Sequence, residues 1–99
     1  MKVKTIDVIA KEWFDKVNGN SYFSGTVTIN FGMKNAKTFK MPFQYGYGEH
    51  YIDMAKKELE RQGLINVPEH HALWRYCDEN NIILRTSKQT GCLKRELTN

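Results

Sequence analysis

His50, His70, His71, Cys77 and Cys92 are the side chains that could ligate a soft metal or supply a nucleophile and its base. A zinc site needs four converging ligands, commonly in CxxC or HxxxH pairs, and neither spacing occurs here. For catalysis the pairings are His50 with Glu49 or Tyr51, and Cys77 with His71. Neither has a glycine elbow, an ordering third group or a cofactor motif. Glu49 and His50 are also adjacent, and neighbours on a helix point to different faces. The expectation is a protein with no metal and no cofactor that is not an enzyme.

Gln44-Tyr45-Gly46-Tyr47-Gly48-Glu49-His50-Tyr51 carries a different chemistry. Two glycines around one tyrosine free the backbone for positive φ just before a helical pattern. The exposed N–H groups of a helix start attract phosphate or carboxylate, so Gly46, Gly48 and His50 form a candidate anion site. The stretch is no Walker loop, because the Gly-Lys-Ser/Thr that closes one is missing. A plain strand-to-helix turn is the stronger account of the glycines. Tyr45, Tyr47 and Tyr51 would suit a protein interface, where tyrosine is enriched among the residues that dominate affinity.

The elements that must position these residues start with a hairpin. Asn18-Gly19 is a strong signal for a type I′ turn. With those two residues as the loop, Phe14 pairs with Phe23, Ala10 with Val27, Val8 with Ile29 and Ile6 with Phe31. Trp13, Tyr22, Lys11, Thr26 and Thr28 then share the other face. Glu12 falls opposite Gly25, the one charge on the buried face, near water at the turn. A third strand over 37–44 alternates Phe39, Met41 and Phe43 with Thr38, Lys40, Pro42 and Gln44. Pro42 cannot donate a ladder bond, which marks an edge strand.

A helix follows over roughly 49–62, with Ile52, Ala55 and Leu59 as its apolar stripe and Gly63 as its stop. A second, short helix begins near Pro68, carries Leu73, Trp74, Tyr76 and Cys77, and ends at Asn80-Asn81. Ile82-Ile83-Leu84 reads as a strand, and the segment from Cys92 to Leu97 as a returning partner. The fold class expected is α+β: a three-stranded antiparallel meander, two helices, then one or two C-terminal strands, all in one domain over 1–99. The helices should cover the face with Phe14, Val8, Ile29 and Phe39.

That arrangement leaves Trp13, Tyr22, Lys11 and Lys40 on a second face. Aromatic rings with lysines on an open sheet can stack on single-stranded bases and meet their phosphates. The competing expectation is that Trp13 lies beneath the C-terminal segment and Tyr22 fills cross-strand space. Lys34, Lys37 and Lys40 form one basic run, and Arg85, Lys88, Lys94 and Arg95 another. Such runs are ordinarily solvated; brought together they would face phosphates.

The whole chain has 99 residues, 40% of them hydrophobic, which is enough for one core without disulfides. A net charge of +4 is mildly basic and compatible with nucleic acid or an acidic protein. Absence of a long apolar run excludes a membrane-spanning helix. With no signal-peptide pattern either, the cytoplasm is the expected compartment and both cysteines are expected as thiols.

Trp13-Phe14-Asp15-Lys16-Val17-Asn18-Gly19-Asn20-Ser21-Tyr22, followed by Pro42-Phe43-Gln44-Tyr45-Gly46-Tyr47-Gly48-Glu49-His50-Tyr51, resembles a family of small uncharacterised proteins carried by bacteriophages and prophages. The resemblance spans roughly 6–64 and extends to Leu73-Trp74-Arg75-Tyr76-Cys77. It carries over no catalytic residues. It implies a phage accessory protein in the cytoplasm of a bacterial host, binding a host or defence protein or nucleic acid. The expected contacts are Trp13, Tyr22, Tyr45, Tyr47, Tyr51, Lys11 and Lys40. The alternative is a nucleotide or other small anion at Gly46, Gly48 and His50. An uncovered edge on the third strand would also allow a homodimer.

Overall fold

An aspartate, rather than the Asn-Gly pair, sets the first hairpin. The computed structural model describes residues 2–98. β1 (Thr5–Asp15) and β2 (Asn20–Ile29) are antiparallel and joined by residues 16–19. The Asp15 carboxylate accepts hydrogen bonds from the Val17 and Asn18 backbone N–H groups, at 3.0 and 3.3 Å, and from the Asn18 amide at 2.8 Å. The Asn18 side-chain bond holds the Asp15 carboxyl below its ordinary pKa. Gly19, at φ +71°, closes the loop by donating to the Asp15 carbonyl at 2.7 Å. Asn18 does not take a positive φ, so no type I′ turn forms.

The longer loop moves the register by two residues from the one expected. Ile6 faces Ile29, Val8 faces Val27, Ala10 faces Gly25 and Trp13 faces Tyr22. A slip of two preserves the faces, where a slip of one would exchange them. Ile6, Val8, Ala10, Val27 and Ile29 are accordingly buried. The pairs at the ends change most. Phe14 lies opposite Ser21 and is half exposed, and Glu12 stands opposite Phe23. Phe31 is exposed and pairs with nothing in β1, because Asn30 turns the chain at φ +52°.

β3 (Lys37–Tyr45) pairs with β2 and forms one edge of the sheet. Its ladder jumps between Phe23↔Gln44 and Gly25↔Met41, so Pro42 and Phe43 together oppose Ser24. This β-bulge inverts the alternation. Phe39 and Met41 keep to the buried face, but Phe43 and Tyr45 pass to the open one.

α1 (His50–Arg61) and α2 (Leu73–Glu79) then carry the chain across the sheet to β4 (Ile83–Gln89). β4 lies beside β1 and parallel to it, giving the order β3-β2-β1-β4. The fold is α+β with a mixed sheet. The expected C-terminal hairpin does not form; after β4 the chain makes a short helix, α3 (Lys94–Leu97). α2 also starts later than Pro68, at Leu73.

The core fills the space between α1, α2 and one sheet face. Tyr51, Ala55 and Leu59, spaced one turn apart, meet Val8, Phe23, Val27 and Met41. Burying a side chain such as Leu59 contributes about 1.5–3 kcal/mol. Each of these two helices ends in a left-handed residue. Leu64 N–H bonds back to Leu59 across Gly63, and Ile82 N–H to Cys77 across Asn81.

Asn30 is fully buried and closes the far end of the sheet. Its side-chain oxygen accepts from Lys4 N–H at 2.7 Å, and its amide donates to the Lys2 carbonyl at 2.9 Å. Asn30→Ala is expected to cost about 2–4 kcal/mol, from unpaired buried backbone groups and a left-handed alanine. Urea unfolding would measure the loss, and a change below about 1 kcal/mol would rule that account out.

Candidate functional site

The register shift and the bulge bring four rings to one corner of the open face. Trp13 sits directly opposite Tyr22 and stacks on it, with centroids 5.5 Å apart at 28°. Phe43, turned out by the bulge, stacks on Tyr22 at 5.2 Å and 8° and lies 6.4 Å from Trp13, so the three rings form a triangle. Tyr45 adds an edge contact to Tyr22 at 5.9 Å. These offset-stacked and edge-on geometries are the favoured ones for aromatic pairs. Tyr45 and Tyr47 remain 55% and 69% exposed, and Lys11 and Lys40 are exposed on the same sheet.

The C-terminal segment lies over this face. Cys92 N–H donates to the Glu12 carbonyl at 3.1 Å, which turns the chain around the end of the sheet. Glu96 accepts from Leu93 N–H at 2.6 Å, and Leu97 is buried on the strands. Lys94 places its ammonium 5.4 Å from the centre of the Trp13 ring, a cation–π contact. Trp13 is thus partly covered by the C-terminal segment. Between α3 and β3 runs a groove of about 520 Å³, lined by Ile9, Lys11, Thr26, Lys40, Phe43 and Leu97 among others.

Arg85 and Lys88, of the second basic run, are paired within the fold. Arg85 makes a two-pronged bond to Asp7, at 2.6 and 2.9 Å. Lys88, 17% exposed, turns to the helix side and meets Glu12 at 3.0 Å and the Gly48 carbonyl at 2.7 Å. Glu12 is therefore paired within the fold, where the sequence suggested a carboxylate near water. Tyr51 is buried beneath Lys88, 5.6 Å from ring centre to ammonium. It belongs to the core and presents little surface to a partner.

The turn before α1 is tightly built. A Cβ on Gly46 would stand 2.6 Å from the His50 ring and 2.7 Å from the Phe23 ring, which themselves pack edge to face. Gly48 takes φ +59°. Beside them is a depression of about 460 Å³ lined by Tyr45, Gly46, Tyr47, Glu49, His50 and Asp53. His50 N–H already donates to Tyr47 and Ile52 N–H to Glu49. Two carboxylates and occupied donors make this a poor cradle for an anion.

Of the catalytic candidates, His50 and Glu49 line that same depression. Cys77 is buried, and desolvation pushes its thiol up to about 11, far from a reactive thiolate. His71 faces Glu79 at 3.8 Å. Among the described residues no three His, Cys, Asp or Glu side chains gather as a metal site. No helix there is long and apolar enough to cross a membrane.

Phe43 and Lys94 are the members of the corner that sequence reasoning missed. Pro42 was the available signal for Phe43, since proline inside a sheet is found at bulges as well as edges. Nothing local marks Lys94, whose ring partner lies far away in sequence.

Lys88→Met is expected to cost about 2–4 kcal/mol, because it strands a poorly solvated Glu12 and the Gly48 carbonyl. Adding Glu12→Gln should restore part of that loss in a double-mutant cycle, whereas simple additivity would show that the pair is not coupled. The raised Cys77 pKa has a defined sign. The buried thiol's contribution is complete below about pH 9, the unfolded value, and is lost as pH rises toward about 11. Chemical denaturation from pH 8 to 11 should show a steeper alkaline decline for the natural chain than for Cys77→Ala; parallel curves would contradict it.

No protein-family model, curated protein or solved structure matches the chain, so its site rests on this geometry alone.

Proposed function

We propose that the chain is a non-enzymatic binding protein that docks another protein on the Trp13, Tyr22, Phe43 and Tyr45 corner. The observation that carries this reading is the stacking itself. Trp13, Tyr22 and Phe43 close into a triangle in which each ring packs against the other two, while Lys94 contacts the Trp13 ring. Intercalating bases need rings free to open around them, and here Trp13, Tyr22 and Phe43 are packed against one another. What remains outward are ring edges, the Tyr45 and Tyr47 side chains and the apolar groove beside Leu97. Amphipathic tyrosines around an apolar centre suit a protein interface. Lys11 and Lys40 favour a partner surface that brings carboxylates to the rim. The likeness to small phage-encoded proteins supports a host or defence protein of the bacterial cytoplasm as that partner.

Nucleic acid is the second reading. Lys11, Lys40 and Lys94 lie around the rings on one face, and such a charge can meet phosphates. A small anion at the α1 start is the weakest of the three, given Glu49 and Asp53.

Tagged protein, captured from lysate of the bacterial host with and without nuclease, separates these readings. One stoichiometric protein that survives nuclease is expected. Tyr45→Ala combined with Lys40→Glu should weaken its capture at least about 30-fold, the size of a 2 kcal/mol contact. Both side chains are exposed, so the melting temperature should move by no more than about 2–3 °C. Undiminished capture by that variant would remove the site assignment. Recovery of nucleic acid, with proteins lost after nuclease, would favour the second reading.

A further inference from the structure

We infer that the outer edge of β4 is the seam of a homodimer, in which two copies join antiparallel about Thr86. In the β1–β4 ladder Ile83 N–H donates to the Lys4 carbonyl. By alternation Ile83, Arg85, Ser87 and Gln89 turn their backbone groups toward β1, while Leu84, Thr86 and Lys88 turn theirs outward. β4 is the last strand of the sheet, so among the described residues those outward groups have no strand beside them. Thr86 shares the face of Val8, its fully buried neighbour in β1, yet is itself exposed. The helix layer therefore stops short of this edge.

The two edges of the sheet differ in what protects them. β3 has Pro42, a bulge, and exposed Lys37 and Lys40, all of which discourage strand addition. β4 runs for seven residues with neither proline nor bulge. Its two cations are turned away, Arg85 to Asp7 and Lys88 to Glu12. A register centred on Thr86 pairs Leu84 with the partner's Lys88, Thr86 with the partner's Thr86, and Lys88 with the partner's Leu84. Each such pair exchanges two backbone bonds. Arg85 then meets the partner's Ser87, so no like charges oppose each other. Centring on Arg85 instead would set arginine against arginine. The edge is thus complementary to itself, as a two-fold interface requires. Ile83, on β4, and Trp74, on the helix packed against it, are 59% and 65% exposed. The aromatic corner lies toward the opposite edge and stays open in each copy.

Sedimentation across micromolar to submillimolar concentrations, with amide hydrogen exchange at Leu84, Thr86 and Lys88, tests the seam. A concentration-dependent dimer is expected, with these amides protected only when it forms. Thr86→Pro removes an outward N–H and leaves the β1 ladder donors intact, so it should yield a monomer with native near-UV dichroism. Thr86→Lys, which keeps the backbone, should weaken the dimer at least tenfold by opposing like charges, and high salt should recover part of the loss. A natural chain that stays monomeric throughout, or a dimer unaffected by Thr86→Lys, would overturn the inference.

Discussion

Lys88 of β4 is bonded at once to the Glu12 carboxylate of β1 and to the Gly48 carbonyl before α1, with the Tyr51 ring beneath it. Three elements that no short turn connects meet at this one ammonium. β4 is parallel to β1, and a parallel pair has no hairpin to set its register. The net gain from such an ion pair is modest, since desolvating both charges offsets much of their attraction. Its larger consequence is positional. A slip of β4 by one residue would turn Lys88 to the other face and leave Glu12 unpaired. Arg85 with Asp7 fixes the same register from the open side. The C-terminal segment depends on it too, because Cys92 reaches the Glu12 carbonyl only when β4 ends beside Lys11.

The aromatic corner depends on two departures from ideal strand geometry. Asp15 lengthens the hairpin loop, and the resulting shift sets Trp13 opposite Tyr22. The bulge at Pro42 and Phe43 moves Phe43 to the open face, where it meets both Tyr22 and Trp13. Gly25 sits between these two features, where a Cβ would collide with the Ile9 and Ala10 backbone. The sheet can close in there only because that residue lacks a side chain. Bulges often re-aim side chains near functional surfaces, and here the re-aimed residues are those left facing outward.

Much of the fold was legible because it is local. The apolar spacing of Ile52, Ala55 and Leu59 marks α1, and Gly63 and Asn81 supply the left-handed residues that end the two helices. The alternation in β1 and β2 identifies the buried face even though the register was displaced, because a two-residue shift leaves the faces unchanged. The displacement was hidden by a competition between two local signals. Asn-Gly favours a two-residue turn, but the Asp15 carboxylate satisfies two backbone donors and holds the Asn18 side chain.

The chain by itself therefore determined the α+β class, the core face, both longer helices and the concentration of tyrosines before α1. Each follows from periodicity or from residues within a turn of one another. The tertiary structure alone decided that Tyr51 goes inward, that Phe43 goes outward, that Lys94 covers Trp13 and that β4 joins parallel to β1. Those outcomes rest on contacts between distant segments, Lys88 and Glu12 being 76 residues apart. A pattern of period two or 3.6 assigns a side chain to a face, but only the packed sheet decides what lies against that face.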